Sequence, residues 1–140
     1  MYVKIAGNEK EMEDAYNIRK TVFVKEQRVP LEEEIDEFEN DCTHFVLYDG
    51  EDPAGAGRFR IAGGAGKVER ICILSRYRGK GAGRILMLAI EDFAQKQGVS
   101  HLKLNAQVHA IPFYEKLGYT ITSGEFLDAG IPHKAMEKSI

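Results

Sequence analysis

The stretch with the clearest capacity for chemistry in this 140-residue sequence is Arg78-Gly79-Lys80-Gly81-Ala82-Gly83, with Arg76 before it and Arg84 after it. Glycines let a ligand approach the main chain closely and admit backbone conformations closed to other residues. An apolar helical pattern begins at Ala82, and the first turn of a helix presents unpaired N–H groups and a partial positive charge. This combination predicts a phosphate site, with Arg78 and Lys80 as mobile cations. Two nucleotide-binding alternatives fail on spacing. A Gly-x-Gly-x-x-Gly fingerprint counted from Gly79 ends on Arg84 and counted from Gly81 ends on Leu86, and Gly79-Lys80 is followed by Gly81 where a P-loop needs Ser or Thr. The two cysteines, Cys42 and Cys72, match no zinc or redox spacing, so no metal site is expected and both read as reduced thiols.

Composition bounds the molecule that carries this turn. With 44% apolar and 29% charged residues, the chain reads as one globular domain over residues 1–140. A net charge of −3 argues against nucleic-acid binding, which needs a basic face. The longest apolar run, Ile85 to Ile90, falls far short of the roughly 20 residues that span a bilayer. Met1 to Ile5 alternates like a strand and lacks the pattern of a signal peptide. A cytoplasmic protein without membrane partners is expected.

The elements that position the turn follow from hydrophobic period. Asn8 and Glu11 predict a helix N-cap with a capping box, and Met12, Ala15, Tyr16, Arg19, Val22 and Phe23 continue at helical spacing, with Arg19 the one charge in the stripe. One long first helix is expected. The acidic stretch around Ile35 and Phe38 reads as a short helix or a loop. Strands follow at His44 to Tyr48 and through Phe59 and Ile61, the second weakened or bulged by Gly55 and Gly57. Gly63-Gly64-Ala65-Gly66 reads as a hairpin turn, and Val68 to Leu74 as a central strand buried on both faces. Ala82, Ile85, Leu86, Ala89 and Phe93 then give a helix closed by Gly98, His101 to Gln107 a strand, and Pro112 to Leu117 a short helix stopped at Gly118. Two last strands are expected around Tyr119 to Thr122 and His133 to Met136. The order describes an α/β protein with a mixed sheet and helices on both faces. Strands 68 to 74 and 101 to 107 are joined by a right-handed parallel crossover, and ligands favour the carboxyl ends of such strands.

The segment from Ile71 to Gly83 resembles the central motif of the GCN5-related N-acetyltransferase (GNAT) family, in which Arg or Gln-x-x-Gly-x-Gly or Ala follows a strand. Ala110-Ile111-Pro112-Phe113-Tyr114-Glu115-Lys116-Leu117-Gly118-Tyr119 is similar to that family's second motif, Ala-x-x-Phe-Tyr-x-x-x-Gly-Phe or Tyr. Arg19 to Gln27 with the acidic stretch resembles the small bacterial ElaA-like and YjcF-like subgroup. One departure stands at Gln107, where the second motif often has Asn.

The resemblance implies a GNAT-like fold: a mostly antiparallel sheet with one parallel, splayed strand pair, and the pantetheine arm of acetyl-CoA lying in the gap. It implies main-chain pairing of that arm with Ile71 and Ile73. The pyrophosphate would be wrapped by Arg78, Gly79, Lys80, Gly81, Ala82 and Gly83, with Arg84, Asn105 and Phe113 as further cofactor contacts. The reaction implied is direct attack of a primary amine, on a small-molecule or protein acceptor, upon the thioester. A tetrahedral oxyanion forms near the Ile73 N–H, and no metal is needed. Tyr114 takes the family's position for the general acid. Glu69 is the candidate base, although it is equally placed to pair with Arg58, Arg60 or Arg70; His44 and His109 are weaker candidates. Cys72 has no evident base beside it and reads as a core thiol. The carboxylates from Glu32 to Asp41 would either attract a cationic amine or be simply solvated. Many relatives dimerise, so a homodimer is compatible. The alternative to an enzyme is a non-catalytic acyl-CoA-binding regulatory domain.

Overall fold

In the computed structural model, which describes residues 1–140, β1 (Tyr2–Ile5) leads through Asn8 into α1 (Glu9–Arg19). Asn8 Oδ1 accepts from the Glu11 N–H at 2.8 Å, and the Glu11 carboxylate reaches back to the N–H of Gly7 at 2.9 Å. The expected capping box thus forms with its return bond one residue upstream. The single long helix does not. After Arg19 the chain widens into a π-helix over Lys20–Glu26, closed by a bond from Gln27 N–H to Val22 O. Thr21, Val22 and Val24 are β-branched and crowd a regular α-helix, which favours the wider turn. The acidic stretch resolves into a one-turn helix, α2 (Leu31–Glu34), and a 3-10 turn at Glu39–Asp41.

Strands β2 (Thr43–Asp49), β3 (Asp52–Ala62) and β4 (Ala65–Ile73) extend β1 into an antiparallel meander. The β3–β4 turn is Gly63-Gly64 alone, with φ of +59° and +79° as a two-residue hairpin demands. Ala65 and Gly66, expected in that turn, belong to β4. A 3-10 turn (Ser75–Tyr77) and the glycine-rich segment lead into α3 (Ala82–Lys96), which returns the chain to β5 (His101–Gln107). Then come α4 (Ile111–Lys116), β6 (Thr120–Ile121), β7 (Phe126–Asp128) and β8 (Ile131–Ser139). Strand β7 has no counterpart in the sequence reading, because it is three residues long and its Leu127 is 71% exposed, leaving no period to detect.

The sheet runs β1-β2-β3-β4-β5-β8-β6, with β7 also on β8, and β4–β5 is its single parallel pair. The expected α/β architecture is the one observed. Helix α1 and the π-helix after it cover one face, setting Ala15, Ile18 and Val22 against Val46, Ala56 and Cys72. Helices α3 and α4 cover the other, where Leu86, Met87 and Ile90 meet Phe59, Leu102 and Met136. The buried stripe of α3 is rotated from the expected one, and Ile85 is 38% exposed while Met87 is sealed. No helix is long and apolar enough to cross a membrane.

Strand β4 departs from the expected double burial. It pairs with β5 only at Gly66–Leu102 and Lys67–Lys103, so beyond Lys67 the two strands part and Ile71 and Ile73 are left half-buried. The bulge expected on β3 lies beside Gly55, where Leu47–Gly55 is followed by Tyr48–Pro53 and Ala54 is the extra residue; near Gly57 a second irregularity has its extra residue on the partner strand. Register slips between Ala56 and Arg58 because Arg70, at φ +58°, is bulged out of β4. Gly55 and Gly57 have a spatial role. A Cβ at either would stand 2.6 Å from the Cδ1 of Ile73 or Ile71, so the glycines make room for the two isoleucines.

Candidate active site

A cleft of about 1270 Å³ opens where β4 and β5 diverge. Its walls include Ile71 and Ile73 from β4, Asn105 and Gln107 from β5, Phe113 and Tyr114 from α4, and the turn from Arg78 to Arg84 apart from Lys80. Of the residues expected at the site, all reach this cleft except Lys80, which is exposed outside it, and His44, a weaker base candidate.

At the floor of the turn, Gly79 and Gly81 adopt φ of +74° and +80°, and Gly81 enters α3 without a side-chain cap. The first helical bond runs from Ile85 N–H to Gly81 O, so the N–H groups of Ala82, Gly83 and Arg84 have no partner within the helix. That is the donor array a diphosphate requires. Phe113 closes one side, its ring 3.0 Å from where a Gly83 Cβ would lie. Arg78 turns towards the strand end: its Nε donates to Ile73 O at 2.8 Å, and Nη2 pairs with Glu26 at 2.8 Å.

Tyr114 enters from the α3 and α4 face, in edge contact with Phe113 and Tyr119. Its hydroxyl has no hydrogen-bond partner in the protein, yet it is not sealed from the cleft. Burial pushes its phenol pKa upward, which keeps the proton in place. Cys72 is buried and burial pushes its thiol up to about 12, so it stays a thiol and supplies no nucleophile near neutral pH.

The acidic stretch divides: Glu32, Glu33, Glu37 and Asp41 are exposed, with Glu32 and Glu33 on the rim of the cleft, while Glu34, Asp36 and Glu39 fold inward onto arginines. Arg19 binds Glu34 and Glu39, Arg58 binds Asp36, Glu39 and Glu69, Arg60 binds Glu69, and Arg70 binds Glu34 and Asp36. Four guanidinium groups thus balance four carboxylates. Burial alone would raise the Asp36 carboxyl, but the hydrogen bonds from Arg58 and the Phe38 N–H outweigh it and hold the group at about 2. Glu69 lines the cleft with Oε1 taken by Arg60 at 2.8 Å and Arg58 at 3.3 Å. The network ties the bulge at Arg70 to α2, since Arg70 also donates to the main-chain carbonyls of Glu33 and Glu34.

Of the weaker base candidates, His109 lines the cleft and His44 does not. His44 donates from Nε2 to Glu39 O, and burial lowers its pKa. Two wall features escaped the sequence reading. Gln27 and Gln107 exchange amide hydrogen bonds, the shorter 2.8 Å, joining the π-helix to the end of β5. His133, directly across from Gln107 in the sheet, lines the same wall. Gln107 was noticed only as a departure from a motif, and nothing local marks His133.

A family model described as an acetyltransferase (GNAT) domain matches residues 8–140. The chain is 55% identical over 139 residues to the uncharacterized N-acetyltransferase YjcF of Bacillus subtilis, covering 99% of each. A crystal structure of a putative N-acetyltransferase from Lactobacillus plantarum superposes with a TM-score of 0.90 at 30% identity, over 99% of both chains. The fold is also that of an aminoglycoside 6'-N-acetyltransferase complexed with coenzyme A, with a TM-score of 0.79 at 16% identity over 99% of this chain and 97% of that one.

Proposed function

The chain belongs to the acetyltransferase (GNAT) domain family of CoA-dependent acyltransferases, and from that premise we propose that it moves an acetyl group from acetyl-CoA to a primary amine. The observation that carries the reading is the juxtaposition, in one cleft, of a free helix N-terminus at Ala82 to Arg84 and a protonated, unpartnered Tyr114 hydroxyl. In this reading the N–H groups of Ala82, Gly83 and Arg84 hold the diphosphate, with Gly79 and Gly81 shaping the turn and Arg78 exchanging Glu26 for a phosphate oxygen. Ile71 and Ile73 offer main-chain groups to the pantetheine arm in the splay, while Asn105 and Phe113 bound it.

The acceptor is an amine of a small molecule or a protein. Its nitrogen attacks the thioester carbon and the C–N bond forms as the carbonyl electrons move to oxygen; the tetrahedral intermediate then collapses, the C–S bond breaks, and the electron pair leaves on sulfur. Tyr114 gives its proton to that thiolate. A base takes the proton lost by the amine; Glu69, the candidate from the sequence, lines the cleft with Oε1 paired to arginines and Oε2 unpaired.

Calorimetry with acetyl-CoA and a thiol-release assay over an amine panel test the proposal. Tyr114→Phe is expected to lower kcat by about 10²-fold, the scale of general acid catalysis, with acetyl-CoA affinity kept within about twofold because binding does not use the hydroxyl. A folded protein without affinity for any acyl-CoA would end the reading. Saturable binding without amine-dependent release would assign a regulatory acyl-CoA-binding domain instead.

A further inference from the structure

His133 is a buried histidine, 8% exposed, whose ring orientation is set by its own chain. Its Nδ1 lies 2.6 Å from Ile131 O. A carbonyl oxygen only accepts, so Nδ1 carries the proton and the neutral ring presents its lone pair at Nε2. Nε2 has no partner in the protein and is not among the sealed polar atoms. Phe126 of β7 stacks on the ring with centroids 6.0 Å apart, fixing its plane.

The sheet places this nitrogen relative to Tyr114. His133 pairs directly with Gln107, so the two side chains share a face. Gln107 touches Gln27, which follows α1, and this is therefore the α1 side of the sheet. Tyr114 packs with Leu104 and Met136 on the opposite face, under α3 and α4. Both residues nevertheless line the cleft between β4 and β5. A proton donor and a lone-pair acceptor thus face one gap from its two sides, so that one can serve the departing sulfur and the other the incoming amine.

We propose that His133 Nε2 is the base that takes the proton from the attacking acceptor amine, in place of Glu69. This rests on the amine-acylation reading. As the C–N bond forms, an N–H proton moves to Nε2. The imidazolium keeps its Nδ1–H bond to Ile131 O and later returns the proton to solvent. Glu69 faces the same cleft, but its Oε1 is held in ion pairs with Arg58 and Arg60. Around His133 the neighbours on β5 and β7 are uncharged Gln107 and Phe126. Titratable groups that line the cleft with it from the packed elements are His109, on the turn after β5, and Asp128, at the end of β7.

The test compares wild type, His133→Ala, His133→Gln and Glu69→Gln in thiol release with an amine acceptor, alongside calorimetry with acetyl-CoA and long-range 1H–15N NMR of the free protein. Expected are a fall in kcat of about 10²-fold or more in both His133 variants, unchanged acetyl-CoA affinity, partial recovery of His133→Ala by added imidazole, and a smaller effect of Glu69→Gln. The pH–rate profile should lose its acidic limb in the His133 variants and keep it in Glu69→Gln. NMR should show the Nδ1–H tautomer. The opposite tautomer, His133 variants within threefold of wild type, or a fall that imidazole leaves unrestored with cofactor affinity also weakened, overturns the assignment while leaving acyl transfer intact. A wild type that binds acetyl-CoA yet acylates no amine overturns the transfer reading and the base with it.

Discussion

Replacing Arg19 with methionine removes one charge from the buried network and keeps most of the side-chain volume. Arg19 is 1% exposed. Its guanidinium donates to Glu34 Oε1 at 2.7 Å, to both Glu39 oxygens at 2.8 Å, and to Glu34 O at 3.0 Å. Without it, Glu39 keeps Arg58 at 2.9 Å, while Glu34 keeps only Arg70 at 3.5 Å, and the balance of four against four becomes one net negative charge in the interior. Breaking a buried pair on one side costs about 3–5 kcal/mol. At about 2.1 cal/mol/K of unfolding entropy per residue, 140 residues correspond to about 0.3 kcal/mol/K, so Tm should fall by about 10–17 °C. Thermal and urea unfolding of Arg19→Met measure this directly. Adding Glu34→Gln to that variant should restore at least half of the loss, since the cost lies in the uncompensated charge. The reasoning is refuted by a loss below about 1 kcal/mol, or by no recovery in the double variant.

Two other outcomes follow from the same geometry. Gly83→Ala places a methyl 3.0 Å from the Phe113 ring in a helical position, so helix propensity of about 1 kcal/mol in favour of Ala offsets the contact and stability barely moves; acetyl-CoA affinity by calorimetry should nonetheless fall several-fold, and unchanged affinity would remove Phe113 from the cofactor wall. The Asp36 carboxyl, held at about 2 in the fold, is depressed from about 3.9 in an unfolded chain, so it contributes stability above pH 4 that is lost as pH falls from about 4 to 2. Urea titrations across that interval should show a loss on the order of 2 kcal/mol in wild type and a smaller loss in Asp36→Asn.

The parts legible in the chain are those whose physics is local. The helix that starts at Ala82 is announced by its apolar repeat, and the turn before it by glycines that must take positive φ. Strand β5 is bounded at His101 and Gln107 as its alternation predicts. Tyr114 was placed by its position in a motif, and the structure brings it to the cleft with Ile71, Ile73 and Phe113. Where the structure departs from the expectation, distance along the sequence is the common factor. That Glu34, Asp36 and Glu39 turn inward is not visible in the sequence because their arginine partners lie up to 36 residues away. Strand β4 looked doubly buried because its apolar run does not show where β5 stops pairing with it.

Composition and periodicity by themselves determined the order of the major elements, the glycine-rich turn before α3 and the burial of Cys72, since each depends on neighbouring residues or on the short reach of a helical or strand repeat. Only the tertiary structure decided that Gln27 meets Gln107 across 80 residues, that Arg58 rather than water holds Asp36, and that His133 and Tyr114 face one gap from opposite sides of the sheet. Those contacts depend on strand register and on the splay between β4 and β5. Both are set by packing summed over the whole sheet, so no segment carries them alone.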